Sequence, residues 1–465
     1  MWTAGWSTTA NTHQCFGIAA YNLALDCMAD DLIMQSQGNG WFWGDHCYNV
    51  KSNYTSSAFR SYDVWYANYK WIANVNYIID AEPEMAGTEA DVAYVAGQAY
   101  AIRALCYLNL ATWFSRAPYN SLTGASRWNE PCVPVYTTGT SIDTGGQPRE
   151  SLRTVYGRID QDIDRAIELL EKARETTLAE NNKSHINLYV ALGIKSRACL
   201  AEGDWDGAFK AAKRVIDEGG YAVGTKSDLT SGMNSLDKQN VMWGAGIQVA
   251  DQAGGYAGFF THMDNKEGAY AKSAPKLISK QLYNRISATD IRRDWWDPSD
   301  KESPYVSKKF SFANVASFLG DYIYMRVEEM YFTAAEAALR LDDLKSAREL
   351  MNTVMAERDP GYSANNRSGT LLGATTTTWT GSFLENILTH RRIELWGEYG
   401  RLFDVRRLGQ GIDRRTDDGF SEECISMMNR RNVNITKADT YDWVLTIPKA
   451  ELDANPNINE EDQNP

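Results

Sequence analysis

From Glu89 to Trp113 apolar side chains recur at steps of three and four. Val95, Ala99, Ile102, Cys106, Leu110 and Trp113 share a face, and the spacing predicts a long amphipathic helix. Trp65, Tyr69, Ile72, Asn76 and Ile79 keep the same period over Ser57 to Asp80, and Pro83 closes the turn after it. Ser151 opens a third helix that runs to Ala173 through Val155, Ile159, Ile163, Ile167 and Leu170. Helices are also predicted over His185 to Glu218, Met325 to Glu357 and Ser382 to Leu408. In two of these, Ala198, Leu200, Asp204, Ala208 and Val215 fall on Ala337, Leu339, Asp343, Ala347 and Val354 at one constant offset of 139 residues. Each copy reads helix, tight acidic turn, helix. Small Ala at inner positions lets paired helices approach closely, as in tetratricopeptide stacks of about 34 residues per unit. The alternative is two unrelated hairpins, since Ala is the best helix former anywhere.

Between the helical blocks, Gln35 to Tyr54, Tyr119 to Pro148, Tyr221 to Gly320 and Gly361 to Thr380 are rich in Gly, Ser, Thr, Asn and aromatics without helical period. Loops this long in a compact protein are functional or disordered, and the many rings argue against disorder. The fold class read from this pattern is mainly α: helical hairpins packed with a large, irregular, loop-rich region. A length of 465 residues allows about three domains or one large composite. The predicted repeat scaffold falls over 57–113, 151–218, 325–357 and 382–408, with irregular segments over 30–54, 119–148 and 221–320 between its parts.

The net charge of −13 repels phosphate, which argues against nucleic acid as a partner and against adhesion to an anionic membrane face. No run of about 18 apolar residues occurs to span a bilayer. Met1 to Gly17 lacks the basic start, apolar stretch and cleavage site of a signal peptide, so export is not visible in the chain. The seven cysteines show no CxxC pair and read as small buried apolar residues.

The five histidines form no HExxH and no other metal spacing, and GxSxG, GxxxxGK[ST] and a complete GxGxxG are all absent. No metal, no cofactor and no hydrolase chemistry is expected, although a spatially defined glycosidase carboxylate pair has no sequence signature to find. The richest cluster is Gly38, Asn39, Gly40, Trp41, Phe42, Trp43, Gly44, Asp45: three rings strung between glycines in a polar loop. A pyranose has an apolar C–H face ringed by hydroxyls, so a protein that holds it supplies a flat ring and polar groups at its rim. Trp41 and Trp43 are the candidate rings, with Asn39 and Asp45 as rim partners; the competing reading makes the rings plugs that seal the loop onto the helices. Tyr256, Phe259, Phe260 and Tyr270 form a second cluster among glycines, of which Tyr256 and Tyr270 are candidate contacts. Trp295 and Trp296, between a charged run and Pro298, look less like a site. In RRIELWGEYGRLFDVRR, Arg391 to Arg407, the spacing of Glu394, Glu398, Arg401 and Asp404 reads as an intrahelical salt ladder rather than a catalytic set.

Four ordered motifs are similar to the SusD/RagB family of outer-membrane nutrient-binding lipoproteins. Gly97 to Tyr119 resembles its helix with an Arg-Ala pair, here Arg103 and Ala104. Met325 to Asp359 resembles its Arg, acid, aromatic, Ala-Glu-Ala repeat through Arg326, Glu328, Tyr331, Ala335, Glu336 and Ala337. Arg392 to Gly409 carries Glu394, Leu395, Glu398, Arg401, Asp404, Arg407 and Gly409. Ile447, Pro448, Glu451, Asn455, Pro456 and Gln463 to Pro465 match its ending. The sequence departs in placing Tyr399 after Glu398 where the family has glycine, with Gly400 one place later, and in having no lipobox cysteine ahead of Trp2.

The resemblance implies that residues 1–465 form one composite of about four tetratricopeptide-like hairpins with irregular insertions, the segments over 30–54, 119–148 and 221–320 being its ligand side. It also implies a non-catalytic, lipid-anchored protein at the outer-membrane surface that captures glycan for a TonB-dependent, SusC-like transporter. Family ligand contacts lie in loops that correspond roughly to Asp30 to Tyr48 and Gly254 to Tyr270. The alternative function is a structural lid or scaffold of the transporter, with a peptide ligand or none.

Overall fold

The computed structural model describes residues 3, 12–49, 59–176, 178, 182–248, 256–438 and 440–465. Eleven helices of eight or more residues carry the described part: α1 (Ile18–Met28), α2 (Phe59–Ala81), α3 (Glu89–Phe114), α4 (Leu152–Lys172), α5 (Leu188–Glu202), α6 (Trp205–Glu218), α7 (Val327–Arg340), α8 (Leu344–Ala356), α9 (Phe383–Glu394), α10 (Arg401–Leu408) and α11 (Glu422–Arg430). Ser57, where the first predicted helix began, lies outside the described residues. The sequence pattern did not announce α1 or α11.

Neighbours in sequence pack as neighbours in space from α2 through α8. Side-chain caps set the starts: Thr88 accepts from the Asp91 amide, Ser151 from Thr154, Asn187 from Val190 and Ser382 from Glu385. Because α3 is packed between α2 and α4, it is apolar on two sides and its single-face period is blurred; Val95, expected inside, is exposed. Arg103 binds these three helices together, giving Nε and Nη2 to Asp162 of α4 at 2.8 and 2.7 Å and Nη1 to Asn76 of α2 at 2.7 Å.

The offset of 139 residues is a structural repeat. Asp204 and Asp343 each cap the second helix of their pair, accepting from the amides of Gly207 and Ser346 at 3.0 Å. The residue before each cap, Gly203 at φ 77° and Asp342 at φ 62°, turns the chain in the left-handed region. Ala198, Ala208, Ala337 and Ala347 are fully buried where the helices meet.

Two predicted helices are corrected. Met325 and Arg326 belong to a strand, Tyr322–Arg326, which pairs antiparallel with Val241–Ala245; the helix begins only at Val327. The Ser382 to Leu408 segment breaks between α9 and α10, where Gly397 (φ 75°) and Gly400 (φ 92°) take left-handed conformations that a continuous helix excludes. A second small antiparallel sheet joins four two-residue strands in the order Leu32–Ile33, Leu277–Ile278, Val306–Ser307, Trp296–Asp297, and so fastens the N-terminal loop to the irregular region.

The break also overturns the intrahelical salt ladder. Glu394 is buried among Arg292, Arg326 and Arg358 at 3.0, 2.9 and 2.9 Å, and Glu398 pairs with Arg326 at 2.7 Å and Lys309 at 2.5 Å. Arg401 faces Asp30 and Asp31 at 3.1 Å, and Asp404 joins Arg391 and Arg407 at 2.8 and 2.7 Å. Only Arg407 with Asp404 is a helical i,i+3 pair; the others cross between elements. Burial alone would raise the Glu394 carboxyl, but Arg358, Arg326 and Arg292 outweigh it and hold it well below the usual carboxylate range.

Candidate functional site

The loop after Ile33 sorts its residues by glycine and by strain. Gly38, at φ 51°, passes so close to the short helix Ala269–Ser273 that a Cβ there would lie 2.4 Å from the Ser273 carbonyl oxygen. This contact seats the loop beside Tyr270. The exposed Asn39 side chain accepts the Trp41 amide at 3.3 Å, closing the bend. At Phe42 the chain enters the left-handed region at φ 61°, a conformation costing on the order of 1–3 kcal/mol for such a side chain. The Phe42 amide donates to Gln14 Oε1 at 2.5 Å and its ring is fully buried, which holds the turn.

The consequence is a split between adjacent rings. Trp41 lies half-buried on the outside, while Phe42 and Trp43 point into the core, Trp43 with 3% of its surface exposed. Asp45 is 0% exposed and receives both Nε and Nη2 of Arg60 at 2.8 and 2.9 Å. The structure therefore corrects two expected contacts: Trp43 is a core plug, and Asp45 is the buried counter-charge of Arg60 rather than a rim acceptor. Phe259 and Phe260 are buried as well.

The remaining rings come together from three separate segments. Trp41 lies 6.0 Å from Tyr270, Tyr270 lies 6.1 Å from Tyr256, and His13 sits among them, stacked on Trp41 at 4.6 Å with planes 8° apart. Tyr256 is 52% exposed; Trp41, Tyr270 and His13 are half-buried. His13 Nδ1 is 2.5 Å from the Tyr270 hydroxyl, and the Tyr256 hydroxyl lies 3.2 Å from His13 Nε2. Burial and the neighbouring Tyr256 hydroxyl push the Tyr270 phenol above its ordinary value, so it stays a neutral donor and acceptor. Beneath the cluster, His262 is buried, 4.9 Å from Tyr270, and its Nε2 bonds the His13 carbonyl at 2.8 Å; burial and Lys276 lower its pKa, leaving it neutral.

His13 was not foreseen. It sits in an irregular N-terminal stretch with no period or motif, and only the fold carries it to Trp41.

Such a cluster presents π-faces with hydroxyl, imidazole and amide groups around them, and no carboxylate takes part in its ring contacts or in the hydrogen bonds of His13, Tyr256 and Tyr270 given above. Burial raises the carboxyls of Asp26 to about 8, Asp418 to about 7 and Glu202 to about 9, and pushes Asp31 and Asp160 upward as well, but none of them is among the hydrogen-bond or ring partners of the cluster given above. Among the described residues no group of three His, Cys, Asp or Glu side chains could hold a metal ion.

Residues 17–200 match a family model described as starch-binding associating with outer membrane, and residues 267–465 match the SusD family model. The chain belongs to the SusD family. It is 25% identical to a SusD-like carbohydrate binding protein of Bacteroides vulgatus, over 98% of this chain and 94% of that one, with a TM-score of 0.77. A SusD superfamily protein of Bacteroides thetaiotaomicron shares the fold at 23% identity and a TM-score of 0.76, over 96% and 94% of the two chains. Surface glycan-binding protein A of B. thetaiotaomicron, solved in complex with laminarihexaose, does so at 17% identity and a TM-score of 0.66, over 99% and 96%. None of the curated proteins matches this chain. Seven charged residues of the SusD motifs, Arg326, Glu328, Glu336, Glu394, Glu398, Asp404 and Arg407, lie in buried ion pairs and none of the seven in the ring cluster. Among the described residues no helix is long and apolar enough to cross a membrane.

Proposed function

We propose that this SusD family member is a non-catalytic glycan-binding protein of the outer-membrane surface. It captures oligosaccharide on Trp41, Tyr256 and Tyr270 and passes it to a TonB-dependent transporter, the protein itself being held at the membrane by a lipid anchor. The observation that carries the reading is the convergence of half-exposed rings from three segments, with Asn39, His13 and two tyrosine hydroxyls at their edges. Rings of this kind stack on the C–H face of a pyranose while the polar atoms bond its hydroxyls. The family model's description, the carbohydrate binding protein of B. vulgatus and the laminarihexaose complex of a SusD-fold protein support the ligand class. Trp43 and Asp45 serve by fixing the loop that presents Trp41.

The test is calorimetric titration with starch-derived and β-glucan hexasaccharides, followed by a wider glycan panel, with products monitored by chromatography. Saturable binding without shortened product is expected. Release of shorter sugars, abolished by changing one carboxylate, would make the protein a hydrolase; absence of binding across the panel would favour a scaffold or lid.

A further inference from the structure

A cleft of about 530 Å³ opens on the outer face of α2, against the 136–144 loop and the short helix Lys449–Ala454. It shares no lining residue with the ring cluster. Helical spacing places Tyr62, Tyr66 and Tyr69 of α2 along one strip. Tyr62 and Tyr66 lie parallel, 5.6 Å apart with planes 8° apart, and Tyr66 is 37% exposed. Trp65 packs on Tyr69 at 4.9 Å, and Tyr136 meets Tyr69 edge-on at 5.9 Å.

The polar side is equally fixed. Glu451 accepts Trp65 Nε1 at 3.1 Å and Asn455 Nδ2 at 2.8 Å, which orients its carboxylate at the cleft wall. Lys70 sits 5.8 Å from the Tyr66 ring, and Thr140, Ser141 and Thr144 form the opposite rim. The loop is tied to α2 through the Gly139 amide to Asp80 at 2.7 Å and through Asn76 Nδ2 to the Thr138 carbonyl at 2.9 Å, so the cleft is pre-formed. Among the described residues its walls are helix side chains and a side loop, with no strand edge on which an extended peptide could add main-chain bonds. Flat rings facing hydroxyls, one oriented carboxylate and one ammonium suit a neutral sugar.

We propose that this cleft is a second carbohydrate subsite, in which a sugar ring stacks on Tyr66 and its hydroxyls bond Glu451, Lys70 and the threonine rim. The proposal rests on the reading of the protein as a glycan binder. Two subsites on one chain let a long polysaccharide engage at two points, so polymer binds more tightly than a hexasaccharide of the same sugar.

The test is calorimetry with gluco-, xylo-, manno- and galacto-configured hexasaccharides and the matching polymers, on the wild type, Tyr66→Ala and Trp41→Ala. Ala450→Arg, at an exposed position on the cleft wall, serves as a filling variant; thermal midpoints confirm folding. Two hexasaccharide equivalents per chain are expected. Tyr66→Ala should weaken one by roughly tenfold or more, and Trp41→Ala the other. The polymer's advantage over the hexasaccharide should collapse in either variant. One equivalent, lost in Trp41→Ala and untouched by Tyr66→Ala and Ala450→Arg, overturns the second subsite and leaves the first reading standing. One equivalent lost in Tyr66→Ala and Ala450→Arg but untouched by Trp41→Ala supports the cleft and removes the ring cluster as the site. No binding of any sugar overturns both.

Discussion

At Glu394 a fully buried carboxylate meets three arginines, whereas at Tyr256 a ring stands 52% exposed with its hydroxyl against His13. The first region is built from the motif residues that mark the SusD family; the second is built from glycine-spaced loops that carry no motif. The contrast separates two kinds of information. Charges that must be buried demand partners of fixed type and geometry, because an unpaired buried charge costs several kcal/mol. A ring that waits for a ligand demands only a backbone that holds it out, and many loop sequences do that. Family membership is therefore legible in the ion network, while the proposed ligand contacts are local to the loops.

The largest separation of the two regions is expected in acid. Glu394, Glu398, Glu336 and Asp404 have pKa values depressed by their arginine partners, against the effect of burial. Their stabilisation is full above the unfolded-state values near 4 and is lost as pH falls through the folded ones. Asp26 and Asp418, raised by burial to about 8 and about 7, act oppositely: their contribution is full below about pH 4 and declines as pH rises toward those values. Thermal midpoints should peak on the acid side of neutral and fall steeply below about pH 4, and Asp26→Asn should flatten the decline between pH 5 and 8. A midpoint that climbs steadily to pH 8 would contradict these assignments.

Glu394→Ala should destabilise by about 3–5 kcal/mol in urea unfolding, since it leaves three buried guanidinium groups short of a counter-charge. Loss of less than about 1 kcal/mol would mean the arginines find other partners.

A sharper contrast lies between two tryptophans two residues apart. Trp43→Ala should cost about 3–5 kcal/mol of stability through the cavity it leaves. Trp41→Ala should leave the fold nearly unchanged and weaken glycan binding by roughly 5- to 150-fold, or about 1–3 kcal/mol. Paired thermal melts and titrations read both; a reversal of the two phenotypes would show that the loop faces the other way.

The smallest effect is expected at Asn39. Its side chain both closes the loop and stands at the rim, so Asn39→Ala should reduce affinity by about 2- to 10-fold, the scale of one hydrogen bond. Equal affinity would confine Asn39 to the turn.

Helical period and caps made the scaffold readable: Thr88, Ser151 and Ser382 start helices where the pattern placed them, and the Asp204 and Asp343 turns superpose at the offset the sequence carries. Where residues are buried on both sides the pattern lost its meaning, as with Val95. Glu398 and Arg401 misled because charges usually mark solvated helix faces, and only the glycine break turns them inward. At the site, glycine-spaced aromatics pointed to Trp41, Tyr256 and Tyr270, but composition could not distinguish Trp41 from Trp43. That distinction depends on one left-handed residue, Phe42, whose conformation is imposed by Gln14 and by the core.

The central claim is that sugar rests on the ring cluster, and a crystal structure of the protein with its tightest-binding oligosaccharide tests it directly. The account predicts a pyranose ring parallel to Trp41 or Tyr270 at about 4 Å, with hydroxyls toward Asn39, His13 or Tyr256. Sugar bound elsewhere, with Trp41, Tyr256 and Tyr270 left bare, would contradict it.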